Sequence, residues 1–150
     1  MLIKRIYDQE DYDIALSIRK KVFIEEQNVD EILVIDEHES HTIHFLVYLD
    51  SEPIGTGGFR TLPPAQYAPK YLGILKFEHI AILKKFRNKN IGSALVQHML
   101  QVAKKHFQNH LPMMDAVISA VPFYENLGWI AIGKTFLKKN IPLQQMIHPN

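Results

Sequence analysis

The alternation and spacing of apolar residues predict a chain of mixed strands and helices. The first sixty residues are expected to hold strands at residues 2–7, 43–49 and 54–62, a helix after the first strand, and a hairpin turn at residues 50–53. The helix has an apolar face at Ile14, Ile18 and Val22. Asp8 or Asp11 is placed to cap its first turn.

The second half of the chain continues the same mixture. Strands are expected at residues 77–83, 113–119 and 129–135, with an edge strand at residues 141–146. Ile91, Leu95 and Met99 recur at helical spacing and predict a long helix between the first two of these strands. A short helix is bounded by Pro122, which suits a first helical turn, and by Gly128, which suits a helix end.

Composition narrows the class of protein. The 150 residues fit a single domain, and 17 basic against 16 acidic residues leave a net charge of +1, so no global field favours nucleic acid or membrane as a partner. The absence of cysteine excludes disulfides and thiolate metal sites. No apolar run reaches membrane-spanning length and no signal-peptide region opens the sequence, so a cytoplasmic protein is expected.

A short basic turn separates the strand at residues 77–83 from the long helix. Lys84, Lys85, Arg87 and Lys89 supply its charge, and Gly92 follows at the start of the helix. The free amides and the dipole of a helix N-terminus favour an anion, so this order of strand, basic turn and helix suits phosphate binding. The alternative interpretation is a solvated surface loop.

Three segments together resemble one known family. Arg87-x-x-Asn90-x-Gly92 resembles the Arg/Gln-x-x-Gly-x-Gly/Ala pyrophosphate loop of the GNAT superfamily of acyl-CoA-dependent N-acyltransferases. Asn90 replaces a glycine, but asparagine tolerates a left-handed backbone. Residues 120–129 resemble the Ala-x-x-Phe-Tyr-Glu-Lys-Leu-Gly-Phe block of that family, and residues 19–27 resemble the Arg-x-x-Val-Phe-x-x-Glu-Gln signature of a bacterial subgroup. Leu143 departs from the subgroup, which often carries histidine there.

The resemblance implies a fold and a co-substrate. The fold is α/β: a mixed, strongly twisted central sheet flanked by helices, with a V-shaped splay between the fourth and fifth strands. Coenzyme A is expected to enter this gap, where its pantetheine pairs with the strand backbone and its pyrophosphate meets the loop amides. The implied cofactor-binding residues are Ile80, Ala81, Ile82, Arg87, Asn88, Lys89, Asn90, Ile91, Gly92 and Ser93.

The resemblance also suggests catalytic and acceptor residues. Tyr124 corresponds to the family's general acid, and its alternative role is that of a packed aromatic residue. Glu78 is the candidate base, and strand alternation puts it on the face of Ile80 and Ile82; its alternative role is that of an ion-paired surface carboxylate. Phe23 and Glu26 lie in the segment that lines the acceptor side in the family, with a core residue and a solvated carboxylate as the alternatives.

The function expected is therefore an N-acetyltransferase that moves an acetyl group from acetyl-CoA to a primary amine of a small molecule or peptide, by direct attack in a ternary complex. A non-catalytic acyl-CoA-binding regulatory module is the alternative. The spacing of His38, His41 and His44 invites a metal site, but the helical spacing fails where His44 starts a strand, and no metal is expected. Neither nucleic acid nor membrane is expected as a partner, and both a monomer and a homodimer remain open.

Overall fold

Strands and helices alternate along the chain in the structure, a computed structural model that describes residues 1–149. The elements are β1 (Leu2–Arg5), α1 (Gln9–Arg19), α2 (Glu31–Val34), β2 (Ile43–Leu49), β3 (Glu52–Leu62), β4 (Gly73–Ile82), α3 (Ile91–His106), β5 (His110–Val117), α4 (Val121–Glu125), β6 (Ile130–Ala131), β7 (Phe136–Lys138) and β8 (Ile141–Ile147). The strand order is β1-β2-β3-β4-β5-β8-β6, and β7 pairs with β8 off this path. The sheet is open and mixed: β4 and β5 pair in parallel, whereas the pairs β1–β2, β2–β3 and β5–β8 are antiparallel.

One compact unit comprises residues Met1–Arg60 and His79–Met99. Its strands β1, β2 and β3 form an antiparallel meander. Asp50 and Ser51 both have positive φ, 49° and 66°, which is the geometry of a two-residue hairpin turn. The hairpin turn is therefore tighter than the predicted turn at residues 50–53, and β3 starts at Glu52.

Helix α1 begins as the sequence indicates. Asp8 is the cap, because its carboxylate accepts a hydrogen bond of 2.8 Å from the backbone N–H of Asp11. The helix then widens into a π-helix at Lys20–Glu26, a change that periodicity alone does not predict. Its buried residues Ile18 and Val22 pack with Leu46 of β2, so the predicted apolar face is confirmed.

The first part of α3 lies close to the glycine-rich strand β3. A Cβ atom at Gly57 would stand 3.0 Å from the Met99 sulfur and 3.3 Å from Ile80 Cγ1. The predicted helical face at Ile91, Leu95 and Met99 is buried. Glycine in β3 thus permits the close packing of a helix that begins directly after the basic turn.

The second compact unit comprises residues Thr61–Glu78 and Leu100–Asn150. Its ladder between β4 and β5 runs from Gly73 paired with His110 to Lys76 paired with Met113. Both strands continue beyond the ladder, β4 to Ile82 and β5 to Val117. Leu72 donates a backbone hydrogen bond of 2.7 Å to the carbonyl of Asn109 just before the ladder begins.

Two predictions for the C-terminal segment are wrong in detail, and one strand was not predicted. The strand predicted at residues 129–135 is reduced to Ile130–Ala131, and Phe136–Lys138 forms a strand that was not predicted. The strand predicted at the sheet edge is internal, because β8 pairs with β5 on one side and with β6 and β7 on the other. The alternation of a short segment identifies a strand but carries no information about which neighbours cover its edges.

The short helix α4 ends earlier than the predicted boundary. It covers Val121–Glu125 with Pro122 in its first turn, as expected. Gly128 then adopts φ of 94°, and a Cβ atom there would stand 2.9 Å from Nε2 of His148. Within residues 1–149, no helix combines the length and the apolar character needed to cross a membrane.

Candidate functional site

The last residues of β4 have their side chains on two faces. Ile80 and Ile82 point towards the glycines of β3, since Ile82 Cδ1 would stand 2.6 Å from a Cβ atom at Gly55. Ala81 points the other way and is buried against the core that includes Ile18 of α1. The side chains of Ile80, Ala81 and Ile82 thus pack against other parts of the protein. The main chain is therefore the part of this segment that can bind a ligand.

A backbone irregularity interrupts β4 just before these residues. His79 has a φ of 58°, in the left-handed region, which is rare for a residue inside a strand. The two-residue alternation that put Glu78 on the face of Ile80 depends on an extended backbone between them. With His79 in the left-handed region, alternation does not determine which way the side chain of Glu78 points. The side chain of Glu78 is half-buried.

The basic turn has the geometry of an anion cradle. Asn88 and Asn90 have positive φ, 62° and 61°, and are exposed. The backbone N–H of Ala94 bonds to the Asn90 carbonyl at 3.1 Å, so the helix starts immediately. Alternating left-handed residues turn successive amides to one side, and the first helical turn adds unpaired N–H groups. Ile91, Gly92 and Ser93 supply those groups here.

Asn90 adopts a positive φ in this cradle. We therefore expect the stability of its variants to depend on how well each replacement residue tolerates that backbone conformation. Asn90→Ala is expected to lower the free energy of unfolding by about 1 kcal/mol, because alanine strongly disfavours positive φ. Asn90→Gly is expected to be neutral or slightly stabilising in the same urea titration. Equal effects of the two replacements would contradict a backbone origin.

The side chain of Arg87 is already engaged. Its Nε donates to the carbonyl of Ile82 at 2.9 Å, and its two terminal nitrogens donate to the carboxylate of Glu26 at 2.5 and 2.8 Å. The hydrogen bond from Arg87 holds the pKa of Glu26 below its usual value. The resemblance implied that Arg87 binds the coenzyme and that Glu26 lies on the acceptor side. The structure pairs them.

The lysines of the turn are arranged differently. Nζ of Lys85 and of Lys89 lie 5.0 and 5.7 Å from the centroid of the Phe86 ring, within the range of a cation–π contact. Lys85 also lies 3.9 Å from Glu52. Long, exposed lysine side chains of this kind can redirect their charge towards a phosphate at little energetic cost.

Tyr124 lies within an aromatic cluster of the second unit. Its ring stands 5.0 Å from that of Phe123 and 6.2 Å from that of Trp129, both in edge-on arrangements. Burial raises the pKa of the phenol to about 12. The backbone of α4 helps to fix the residue, because the Tyr124 carbonyl accepts from Trp129 at 3.1 Å. The phenol therefore keeps its proton throughout the physiological pH range.

Phe23, assigned to the acceptor side, belongs to the π-helix. It is half-buried and packs against the core formed by Ile18, Val22 and Leu46. Its packing agrees with the alternative role considered for it, that of a core residue. A lining role would involve only the part of the ring that stays accessible.

A partly buried polar cluster, formed by Arg19, Asp36, Glu39 and His79, was not predicted from the sequence. Arg19 is fully buried and holds Glu39 through two hydrogen bonds of 2.7 and 3.0 Å, and it also bonds to the carbonyl of Val34. His79 Nε2 lies 3.2 Å from Asp36 Oδ2. The one sequence signal was Arg19, the first residue of the subgroup signature.

The electrostatics of the cluster follow from Arg19. Burial alone would raise the pKa of Glu39, but hydrogen bonding to Arg19 and the charge of Arg19 bring it well below its usual range. Tyr12 donates to Glu39 at 2.8 Å, and burial together with this carboxylate raises the pKa of Tyr12 to about 12. The ionised pair is thus firmly maintained at neutral pH.

The same cluster approximates a metal site, since ligand atoms of Asp36, Glu39 and His79 lie within 4.8 Å of one another. The oxygens of Glu39 are however taken by Arg19 and Tyr12. A dication would displace these donors and lie beside a guanidinium, so the group suits an ion pair better than a metal. His38 and His41, two of the histidines with suggestive spacing, are not part of this group, and the third, His44, lies 3.8 Å from Glu39 Oε1 without belonging to it.

Comparison with known proteins agrees with this geometry. Residues 7–148 match the family description "Acetyltransferase (GNAT) domain". The chain is 32% identical over 145 residues to YyaT of Bacillus subtilis (strain 168), covering 95% of this chain and 91% of the relative. It is 30% identical over 141 residues to the uncharacterized N-acetyltransferase YjcF of the same organism, covering 93% of this chain and 94% of the relative.

The fold also matches a solved structure over the whole length. ElaA of Escherichia coli superposes with a TM-score of 0.82 at 17% sequence identity, covering 99% of this chain and 100% of that one. The expected α/β architecture, with parallel β4 and β5 in a mixed open sheet, is thereby confirmed. The family match and the two relatives go beyond fold, and the chain therefore belongs to the GNAT family of acetyltransferases, which transfer acyl groups from acyl-CoA.

Proposed function

We propose that the 150 residues act as one GNAT domain that transfers an acetyl group from acetyl-CoA to the primary amine of a small molecule or peptide, by direct attack in a ternary complex. One observation carries the proposal. The left-handed Asn88 and Asn90 lead directly into the first turn of α3 and form an exposed cradle of amides for a diphosphate.

The donor is proposed to be held chiefly by main-chain groups. Pantetheine is proposed to pair with the backbone of Ile80 and Ile82 as an added strand, beyond the ladder that ends at Lys76. Ala81 would contribute to this segment only through its backbone, because its side chain is buried in the core. Lys89 is proposed to add charge to the pyrophosphate contacts made by the loop amides.

The chemical step moves two protons. The amine nitrogen attacks the thioester carbonyl, the carbon–sulfur bond breaks, and the thiolate leaves. An alkylammonium with a pKa of about 10.4 is only about one part in a thousand neutral near pH 7.4, so a base is needed. We assign this role to Glu78, acting directly or through a water. The thiolate takes its proton from Tyr124, whose buried phenol is protonated at neutral pH.

Glu78→Gln is expected to lower kcat about a hundredfold at pH 7, the low end for a lost general base, since part of the amine loses its proton to solvent unaided. The deficit is expected to shrink as the pH rises towards the pKa of the acceptor amine. Initial rates between about pH 6 and pH 10 would test this. A deficit that is constant across this range would assign the proton transfer to another group.

The proposed function is tested by two measurements on one preparation. Isothermal titration calorimetry is expected to detect binding of acetyl-CoA, and a free-thiol assay is expected to detect turnover with at least one member of a panel of primary amines. Absence of any binding heat would refute the proposal. Binding without thiol release across the panel would identify a non-catalytic acyl-CoA-binding module instead.

A further inference from the structure

The ion pair between Glu26 and Arg87 joins two functional segments that lie 61 residues apart in the sequence. Glu26 is the last residue of the π-helix, and Arg87 is the first residue of the coenzyme-loop motif. The pair lies at the protein surface, with side-chain exposed fractions of 28% for Glu26 and 32% for Arg87. We propose that this pair is a clip that positions the coenzyme loop, and that Arg87 is a positioning residue and not a ligand of the pyrophosphate.

The hydrogen bonds of Arg87 support this assignment. A guanidinium carries five N–H donors in a fixed plane. Here Nε–H donates a hydrogen bond to the carbonyl of Ile82, the last residue of β4, and the two terminal nitrogens donate to the two carboxylate oxygens of Glu26. The side chain therefore ties the end of β4 and the end of the π-helix to the start of the loop.

The alternative role for Arg87 requires this arrangement to break. To place its fork on a diphosphate, Arg87 would have to release Glu26 and leave that carboxylate without its bidentate partner. The cradle does not need this, because the turn at Asn88 and Asn90 and the first turn of α3 already supply N–H donors. Lys89 supplies a positive charge that is not held by the clip.

Because the ion pair joins the π-helix to the coenzyme loop, a change in the π-helix is expected to alter the affinity for the coenzyme. If the clip holds the loop in its binding conformation, removing either partner lowers the fraction of molecules with a formed cradle, and the apparent coenzyme affinity falls by that fraction. Glu26 then influences coenzyme binding without touching the coenzyme. This inference rests on the proposed function, since it takes the loop as the pyrophosphate site.

The test is the effect of Glu26→Gln on the Kd for coenzyme A, because the two roles of Arg87 predict opposite signs. The clip predicts Kd raised by up to about fivefold, the upper end for the loss of an exposed ion pair. A phosphate-binding Arg87 predicts an unchanged or lower Kd, because the variant frees the guanidinium from its competitor. That result would overturn the inference.

A control variant and a variant of the other partner of the ion pair complete the experiment. Glu25→Gln removes the same charge from the neighbouring, exposed position of the π-helix and is expected to leave Kd unchanged. Arg87→Gln is expected to raise Kd like Glu26→Gln, and the double variant is expected to be no worse than either single one. Additive effects in the double variant would overturn the clip. Failure of the wild type to bind coenzyme A would instead refute the proposed function.

Discussion

Replacing Tyr124 with phenylalanine is expected to lower kcat about 10²–10³-fold, the range typical of a lost general acid. The phenol is the proposed proton donor to the departing thiolate, and its ring packs against Phe123 and Trp129. Phenylalanine keeps those ring contacts and removes only the hydroxyl. Because coenzyme A is proposed to contact main-chain groups of β4 and the loop, its Kd is expected to stay within about twofold of wild type.

The pH dependence gives this prediction a second readout. The acid is competent while it is protonated, so a phenol with a pKa of about 12 stays active at alkaline pH and is lost only as the pH rises through that value. The wild-type kcat should therefore show no alkaline decline caused by Tyr124 below that region. Tyr67→Phe, which removes the hydroxyl of a more exposed tyrosine, is the matched control. Unchanged turnover in Tyr124→Phe would assign the proton transfer to a water or another residue.

Replacing Arg19 with alanine is expected to lower the free energy of unfolding by about 3–5 kcal/mol, because it leaves a buried carboxylate without its partner. Arg19 is fully buried, and Glu39 is bound to it at 2.7 and 3.0 Å. Urea unfolding monitored by circular dichroism would measure the change. Lys20→Ala, at the exposed neighbouring position, should alter stability by less than about 0.5 kcal/mol.

Two further observations separate the charge effect from packing. Arg19→Met combined with Glu39→Leu should be less destabilising than Arg19→Ala, since no charge is left buried. The pKa of Glu39 is lowered in the folded protein, so its contribution to stability is present above the ordinary carboxyl value of 4.5 and is lost as the pH falls towards the lowered value. Acidification should therefore destabilise the wild type more than Glu39→Gln. If the variant that combines Arg19→Met with Glu39→Leu is as unstable as Arg19→Ala, the loss of stability comes from packing and not from the unpaired charge.

Regular periodicity and local backbone preference made parts of this protein readable from sequence. The apolar face of α3 recurs every three or four residues, and its start after a basic turn was correctly predicted at Ile91. Asparagine at Asn88 and Asn90 permits positive φ, and both residues adopt it. The two strands of the first hairpin were predicted from alternation, although the turn is tighter than predicted and the register shifts between Val47 and Tyr48.

The local sequence alone therefore determined the periodic elements, the basic turn with its left-handed asparagines and the motifs that indicated the family, because each depends on residues that are neighbours in the chain. Tertiary structure decided the internal position of β8 and the left-handed His79. It also decided the pairs that join Arg19 to Glu39, Asp36 to His79 and Glu26 to Arg87, across 20, 43 and 61 residues. Such pairs form only when folding brings distant segments together, and no pattern of neighbouring residues records that event.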